Sequence, residues 1–389
     1  MQIDVAERLR HTEEYYFSKK LREIDQLNQS GDKVINLGIG SPDLPPHPAV
    51  VDTLREFAEQ PHVHGYQSYR GIPALRQAIS NWYQRYYNVS LDSDKEVLPL
   101  IGSKEGIVHI CMTYLQAGDE ALIPNPGYPT YTSAVRLSQA TAVPYVLRAE
   151  NHWLPNLDEL ASRDLSRVKV MWINYPHMPT GTAAPMSFFS ELVAFAKQYG
   201  ILICHDNPYS FILNDRPQSI LAVDGALDVA IELNSLSKSS NMAGWRVGML
   251  AAAEARINEI LRFKSNMDSG MFLPVQMAAV KALDAGPDWY TQLNETYRSR
   301  RNRVFQLLDG LGCTYDPAQV GLFVWALIPS TFPDGYALSD EILQKSRVFI
   351  TPGGIFGSGG DPYIRVSLCA TEDTLSTAME RIQKASITL

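Results

Sequence analysis

The chain of 389 residues lacks several features that define other classes of protein. It contains only four cysteines, and none of them forms a C-x-x-C pair, so neither a disulfide framework nor a metal site is predicted. No stretch approaches the roughly 18 uninterrupted apolar residues of a membrane span. The N-terminus also lacks the apolar core of a secretory signal. These absences predict a cytoplasmic protein.

Positive charge is also scarce. The formal net charge is −8 and the pI is about 5.5, and the longest basic block covers only residues 298–303. This balance argues against nucleic acid or an anionic membrane as the main partner and favours a small-molecule substrate. The length exceeds the roughly 250–300 residues of a single core, which predicts more than one domain. We predict a large domain at 45–275 and a small domain formed by 1–44 and 276–389.

Apolar runs alternate with helical patterns along the first two thirds of the chain. This order is typical of an α/β fold with a mainly parallel central sheet between helices. Helices are predicted at 106–115 and 187–199, and a long helical stretch at 275–311 is broken near Gly286-Pro287. Strands are predicted at 96–101, 120–124, 168–173, 201–205, 228–233 and 247–251, and two further strands of a smaller α+β domain at 321–328 and 363–368.

Polar segments follow four of the predicted strands. They are 102-GSKEG-106, 174-NYPHMPTG-181, 206-DNPY-209 and 235-SLSKSSNMAGWRVGM-249. The carboxyl ends of parallel strands are where ligands bind in such sheets. A glycine turn that opens a helix favours a phosphate, although this signal and a strand-end Asp are each common by themselves. Together the segments supply a phosphate site, an acid, a phenol, a lysine and an arginine, the set that pyridoxal 5′-phosphate requires.

A family resemblance agrees with this cofactor. The pattern S-x-S-K followed by G-x-R-x-G occurs as 235-SLSK-238 and 244-GWRVG-248, with 206-DNPY-209 about thirty residues upstream. From about residue 37 to its C-terminus the chain resembles the fold-type-I, pyridoxal-phosphate-dependent class I/II aminotransferases. It looks most like the branch with LL-diaminopimelate and aspartate aminotransferases. The resemblance implies ping-pong transfer of an amino group between an L-amino acid and a 2-oxo acid.

The resemblance also implies roles for single residues. Lys238 would be the Schiff-base lysine and proton shuttle, Asp206 would hold the ring nitrogen, and Tyr209 would donate to the ring 3-oxygen. Ser235 and Arg246 would bind the phosphate, for which the guanidinium fork is well shaped. The implied cofactor-binding residues are Ser103, Lys104, Tyr128, Asn174, Asp206, Tyr209, Ser235, Ser237, Lys238, Arg246 and Tyr66.

The resemblance also implies roles for three residues that would contact the substrate or the partner subunit. Arg365, in 362-PYIRVSL-368, would clamp the substrate α-carboxylate, and Gly40, in 37-LGIGSPD-43, would let the backbone approach it. Tyr66 would reach the phosphate of the neighbouring subunit, which implies a homodimer with shared active sites. The aromatic residues of 15-YYF-17 are candidates to cap the pocket.

One position departs from the family pattern. In 177-HMPTG-181, Met178 stands where the family has an asparagine that donates a hydrogen bond to the ring 3-oxygen. A methionine cannot donate this bond, so we expect activity to shift toward higher pH unless Asn174 or His177 compensates.

Two other functions stay open from the sequence. β-Eliminating C–S lyases and other enzymes of Cα chemistry share the same lysine, aspartate and arginine, because placement of the substrate decides the reaction. A non-catalytic pyridoxal-binding regulator is a more distant alternative, since the chain shows no basic helix-turn-helix.

Overall fold

The computed structural model describes residues 3–10, 14, 16–29, 31, 33–385 and 387. Within these residues helices and strands alternate along most of the chain. The helices are α1 (Glu7–Arg10), α2 (Tyr16–Gln29), α3 (Pro48–Ala58), α4 (Pro73–Tyr87), α5 (Ser103–Tyr114), α6 (Pro129–Leu137), α7 (Leu157–Ala161), α8 (Met186–Tyr199), α9 (Leu236–Ser239), α10 (Glu254–Lys264), α11 (Leu273–Leu283), α12 (Pro287–Gly310), α13 (Gly335–Ser346) and α14 (Glu372–Lys384). The strands are β1 (Ile35–Asn36), β2 (Val97–Leu100), β3 (Glu120–Asn125), β4 (Thr141–Val146), β5 (Val168–Ile173), β6 (Leu202–Asp206), β7 (Ala230–Ser235), β8 (Gly248–Ala251), β9 (Thr314–Tyr315), β10 (Phe323–Leu327), β11 (Val348–Phe349), β12 (Thr351–Pro352) and β13 (Tyr363–Ser367).

Seven strands form the large sheet, in the order β2-β8-β7-β6-β5-β3-β4. The pairs from β7 to β4 are parallel, whereas β8 pairs antiparallel with both β2 and β7. Every residue of β6 and β7 is buried, as expected for strands that helices cover on both faces. The prediction of an α/β fold with a mainly parallel sheet is confirmed.

The two faces of this sheet pack into separate cores. One core contains buried residues of α4, α8 and α11, and the other contains buried residues of α5, α6 and α10. Within β6, Ile203 belongs to the first core and Cys204 to the second, because successive side chains of a strand point to opposite faces. The same alternation places His205 and Asp206, at the end of β6, on opposite faces.

The sequence analysis missed strand β4. Its sequence, 141-TAVPYV-146, contains Pro144, which cannot donate to a ladder and so argues against a central strand. In the structure β4 lies at the edge of the sheet and pairs only with β3, where a missing N–H is tolerated.

The C-terminal part forms a second layer. Strands β12-β13-β10-β9 make an antiparallel sheet, and its buried residues share a core with α12, α13 and α14. The N-terminal strand β1 pairs with β11, so it joins this part of the chain. The predicted domain boundary at residue 275 falls inside α11, whose buried alanines pack in the core of the large sheet. The division into two domains stays a prediction.

None of the described helices combines the length and the apolar composition that crossing a membrane would require. The predicted cytoplasmic location is not tested by this finding and stays a prediction.

Candidate active site

A cavity of about 660 Å³ lies at the carboxyl ends of β5, β6 and β7. Twelve of the thirteen predicted site residues line it, and only Tyr66 does not. The twelve are Gly40, Ser103, Lys104, Tyr128, Asn174, Asp206, Tyr209, Ser235, Ser237, Lys238, Arg246 and Arg365. The other described residues of its wall are Phe17, Ser18, Leu21, Ile39, Ile107, Tyr131, Met178, Pro208, Ala243, Phe323 and Phe356.

Lys238 lies in the short helix α9, directly after the buried strand β7. Its Nζ donates a hydrogen bond of 2.6 Å to the carbonyl oxygen of Gly40. Burial lowers the pKa of the ammonium to about 8, Cys369 opposes this fall, and the positive charges of Arg365 and Arg246 add to it. A substantial fraction of Lys238 is therefore a neutral amine, and thus a nucleophile, at mildly alkaline pH.

This pKa gives a pH dependence that can be measured on the apoprotein. Only the neutral amine can bond to a carbonyl carbon, so covalent uptake of pyridoxal 5′-phosphate should fall as the pH drops below about 8. Between pH 6.5 and 8 we expect the rate to rise roughly 15-fold, and then to rise about twofold more before it levels off above about pH 9. Rapid-mixing absorbance measures this rate, and Lys345→Arg, a change of an exposed lysine on α13, should give the same curve. A rate that is constant over this range would contradict the assignment.

Asp206 is the last residue of β6 and is buried. Its Oδ2 accepts a hydrogen bond of 2.8 Å from the phenol of Tyr131, while its Oδ1 has no hydrogen-bond partner among the described residues. Burial raises the pKa of the carboxyl to about 6, although the Tyr131 hydrogen bond and the charge of His205 oppose this rise. A protonated pyridine nitrogen is a donor of the kind that the unpaired oxygen requires.

Tyr131 was not predicted from the sequence. It follows Tyr128 by three residues, and Pro129 begins helix α6 between them, so the two side chains lie on neighbouring positions of one helix face. Their rings are in edge contact at 5.6 Å, and Tyr131 also stacks on Trp172 at 5.0 Å. The signal was present in 128-YPTY-131, but the contact with Asp206 depends on how α6 packs on the sheet.

The phosphate end of the cavity is a backbone turn covered by cations. Gly102 has a φ of +84° and precedes α5, whose first N–H groups have no partner within the helix. An added Cβ on Gly102 would collide with the Arg246 guanidinium, and one on Gly248 would collide with the Ser103 amide nitrogen. Burial and the charge of Arg246 lower the pKa of Lys104. This turn fits a phosphate dianion.

Ser235 and Ser237 complete this end of the cavity. Both residues are buried, and the Ser235 hydroxyl accepts a hydrogen bond of 3.1 Å from the Ser237 amide. At the other end of the ring site, burial raises the pKa of the Tyr209 phenol above its usual range, so this group stays protonated and able to donate.

Arg365 lies in β13 and is buried against three aromatic rings. Its guanidinium carbon is 3.7 Å from the ring centre of Phe323 and 4.6 Å from that of Phe356, while Phe17 is more distant at 5.7 Å. Nη2 donates to the Gly38 carbonyl at 2.7 Å. The sequence predicted Phe17 only as a candidate to cap the pocket, and it did not predict the contacts of Phe323 and Phe356 with Arg365, because these depend on the register and turns of the second sheet. They hold the guanidinium by cation–π contact without neutralising its charge.

Met178 makes a contact that the sequence did not predict. Its Sδ lies 3.1 Å from Nη1 of Arg365, so the thioether packs against the predicted carboxylate clamp. Asn174 donates its side-chain amide to the Asp206 carbonyl oxygen and accepts from the Met178 amide. The Asn174 side chain is therefore engaged in holding the loop, and its predicted contact with the cofactor stays a prediction. His177 Nδ1 lies 2.8 Å from the Thr180 hydroxyl, and burial lowers the pKa of the imidazole to about 3.

The residues predicted to cap the pocket have different positions. Phe17 lines the cavity, whereas Tyr16 makes edge contacts with Phe17 and Tyr336 outside it. Tyr15 lies outside the described residues. Gly40 borders the cavity, and an added Cβ there would overlap the ring of Phe323. This close packing explains why a residue without a side chain is required.

Comparisons with known proteins agree with this geometry. The family model of aminotransferase class I and II matches residues 32–382. An LL-diaminopimelate aminotransferase of Dehalococcoides mccartyi (strain CBDB1) is 39% identical over 382 residues, which cover 98% of each chain. One from Desulforudis audaxviator is 40% identical over 380 residues and 97% of each chain. Among solved structures, apo-BacF from Bacillus subtilis superposes with a TM-score of 0.95 at 35% identity, covering 100% of this chain and 99% of BacF.

A sheet with a partly buried lysine, a buried carboxylate and a phosphate turn at its carboxyl edge defines a fold-type-I pyridoxal-phosphate enzyme. Within this class, the chain belongs to the family of class I and II aminotransferases. It is a pyridoxal 5′-phosphate-dependent aminotransferase that moves an amino group between an amino acid and a 2-oxo acid, so the predicted cofactor and activity are confirmed.

Proposed function

We propose that this aminotransferase works with Lys238 as its cofactor-bearing lysine and general base, Asp206 as the partner of the ring nitrogen, and Arg365 as the clamp for the substrate carboxylate. The observation that carries the proposal is the unpaired, buried Oδ1 of Asp206 in the same cavity as a lysine whose pKa is lowered to about 8. When bound, pyridoxal 5′-phosphate supplies a carbonyl carbon for the amino group and a ring that withdraws electrons from the substrate Cα.

The cofactor would be held at both ends by residues of this chain. Arg246, Ser235 and the amides at the start of α5 would bind its phosphate, and Tyr209 would donate a hydrogen bond to the ring oxygen. Lys238 Nζ would take the proton from the substrate Cα and carry it as an acid. Its pKa of about 8 suits both directions of transfer, since roughly a tenth of the amine is neutral at pH 7 and about half at pH 8.

The substrate's side chain would lie against Phe17, Leu21 and Ile39, which are three of the apolar residues of the wall. The described cations of the cavity are Lys104, Lys238, Arg246 and Arg365. Each would serve the phosphate, the amino group or the α-carboxylate, which leaves none for a second carboxylate of the substrate. We therefore propose amino acids with apolar side chains as donors. The names of the relatives make LL-diaminopimelate the other substrate to test.

A panel of amino acids tests this assignment. We expect higher kcat/KM for L-phenylalanine, L-methionine and L-leucine than for L-aspartate, with 2-oxo acid as the product. Leu21→Ala should lower kcat/KM for the apolar donors several-fold through lost apolar contact, and leave the rate with L-alanine little changed. A preference for LL-diaminopimelate would mean that polar groups of a partner subunit complete the pocket. Release of ammonia without an oxo-acid acceptor would favour the C–S lyase alternative.

We further propose that the enzyme is a homodimer with shared active sites. Tyr66 is 93% exposed, and Tyr69, Met267 and Phe272 are further exposed apolar residues in the segments 64–69 and 267–272, here together called the Tyr66 patch. Its two segments are in contact, since the ring of His64 stacks on Phe272 at 5.8 Å. An apolar surface of this kind is typical of a subunit interface, and a two-fold axis there would carry Tyr66 toward the partner's site.

Mixed dimers test whether Tyr66 serves the partner subunit. Lys238→Ala and Tyr66→Ala homodimers should both be impaired, the second by roughly 10- to 100-fold through loss of a hydrogen bond to a charged group. A hybrid of the two has one site with both native residues, so random pairing should restore about a quarter of wild-type activity. Absence of any restoration in proven hybrids would place Tyr66 in its own subunit or outside the site.

A further inference from the structure

A buried pair of ionisable residues lies beside the active site and has no role in the mechanism above. His205 in β6 and Glu232 in β7 are direct neighbours in the register of the sheet, and both are fully buried. His205 Nδ1 is 2.8 Å from Glu232 Oε2. The pair points to the face of the sheet opposite to Asp206, although His205 is the next residue in the chain.

The hydrogen bonds define where the protons are. His205 Nε2 lies 2.9 Å from the carbonyl oxygen of Tyr175, which can only accept, so Nε2 carries a proton. The Ser219 hydroxyl accepts from the Leu221 amide and therefore donates its own proton to Glu232 Oε2 at 2.9 Å.

The same Glu232 oxygen also accepts from the Ile220 amide at 3.2 Å. An oxygen that already accepts two hydrogen bonds is well placed to accept a third, which favours a proton on His205 Nδ1 between the pair. These hydrogen bonds fit an imidazolium with a proton on both ring nitrogens, facing a carboxylate anion.

Other polar groups face the pair from helix α4. The phenols of Tyr83 and Tyr87 lie close to Glu232, and burial, followed by the charge of Glu232, raises the pKa of both well above the usual range. They stay protonated and cannot compete as anions for the imidazolium. The ring of Phe189 packs on His205 at 5.1 Å and keeps this side apolar.

The charge of His205 acts on Asp206. This charge and the hydrogen bond from Tyr131 lower the pKa of the Asp206 carboxyl, whereas burial raises it. Glu232 lies one strand further away and does not contribute to this shift. His205 also fixes the Tyr175 carbonyl, and with it the loop from which Asn174 donates to the Asp206 backbone. The pair thus acts on Asp206 through charge and through position.

We propose that the His205–Glu232 ion pair keeps Asp206 ionised, so that the proton shared between Asp206 and the cofactor's ring nitrogen stays on the nitrogen. His205 is then a positioning residue that acts through Asp206, and the inference rests on the proposed role of Asp206. Removal of the imidazolium charge would make Asp206 more basic, and the proton would move from the ring nitrogen to the carboxylate.

Glu232→Gln is the most informative variant, because it keeps the shape of the pair and removes its charge. Imidazole nitrogen NMR of the apoprotein at pH 8 should show two protonated nitrogens at His205 in the wild type and only one in Glu232→Gln. In protein loaded with ¹⁵N-labelled pyridoxal 5′-phosphate, the ring nitrogen should be protonated in the wild type and lose most of its proton in Glu232→Gln and His205→Gln. We expect kcat to fall about tenfold with KM little changed.

Ser219→Ala is the matched control, since it removes a hydrogen bond to Glu232 without changing a charge. It should leave the ring-nitrogen signal unchanged, and thermal unfolding would show whether each variant is folded. A neutral His205 in the wild type, or an unchanged ring nitrogen in folded Glu232→Gln, would overturn the proposal. Asp206→Asn distinguishes failure of this inference from failure of the proposed role of Asp206. If Asp206→Asn also leaves the protonation of the ring nitrogen unchanged, the proposed role of Asp206 is wrong. If Glu232→Gln leaves it unchanged but Asp206→Asn does not, only the inference about the His205–Glu232 pair is wrong.

Discussion

Replacing Lys238 with alanine is expected to lower kcat by about 10⁴-fold and to abolish covalent retention of the cofactor. General acid–base catalysis by a positioned side chain contributes roughly 10²–10⁴, and loss of the nucleophile adds to this. Lys238→Arg should be nearly as inactive, because a guanidinium stays protonated and cannot act as a nucleophile. Borohydride reduction followed by peptide mass spectrometry measures attachment, and initial rates measure kcat.

A matched control is Lys345→Ala, which removes an exposed lysine paired with Glu341 on α13. This variant should keep both the cofactor and the rate. If the cofactor mass in the wild type maps to another peptide, or if Lys238→Ala retains activity within about tenfold, the assignment of Lys238 is wrong.

Replacing Arg365 with lysine should lower kcat/KM for amino acids by about 10³-fold without loss of the cofactor. Each hydrogen bond to a charged group contributes about 1.5–3 kcal/mol, and a lysine cannot form the parallel pair of bonds that a guanidinium offers to a carboxylate. The lysine would also lose the contacts that the guanidinium makes with Phe323 and Phe356 and its hydrogen bond to the Gly38 carbonyl.

The specificity of this effect can be measured with an amine that lacks the carboxylate. The wild type should strongly prefer an L-amino acid over the corresponding decarboxylated amine, and Arg365→Lys should lose most of this preference because only the amino acid has the group that Arg365 binds. Arg303→Lys, on the exposed side of α12, is the control and should behave as the wild type. An equal loss of rate with both substrates would show that Arg365 stabilises the fold instead of binding the carboxylate.

The sequence predicts the chemical groups of the site well because the fold is modular. In a parallel sheet each strand end adds one short segment to the same edge, so 206-DNPY-209 and 235-SLSK-238 can be placed together before the structure is known. Twelve predicted residues do line one cavity. Their individual roles remain proposals, which the variants above address.

Contacts between distant segments could not be predicted in this way. The rings of Phe323 and Phe356 reach Arg365 through the register of β10 and β13 and through the turn after β12. The thioether of Met178 reaches it because the loop after β5 packs in the core of the second sheet. The register of β6 and β7 decides that His205 faces Glu232, and a shift of one residue would separate them. Periodicity in a single sequence does not fix such a register.

The departure at Met178 has a structural explanation in part. The methionine fills the space beside the Arg365 guanidinium with a polarisable apolar group, next to the aromatic rings. It does not replace the hydrogen bond that an asparagine would donate, and the Asn174 side chain is engaged elsewhere. The expected shift of activity toward higher pH therefore stays a prediction.

A single half-reaction tests the central claim most directly. Purified enzyme loaded with pyridoxal 5′-phosphate is mixed with an excess of one ¹⁵N-labelled amino acid and no oxo acid. We expect about one equivalent of 2-oxo acid per active site, no free ammonia, and transfer of the ¹⁵N to a second oxo acid when it is added afterwards. Continued turnover with release of labelled ammonia, or loss of carbon dioxide, would contradict it.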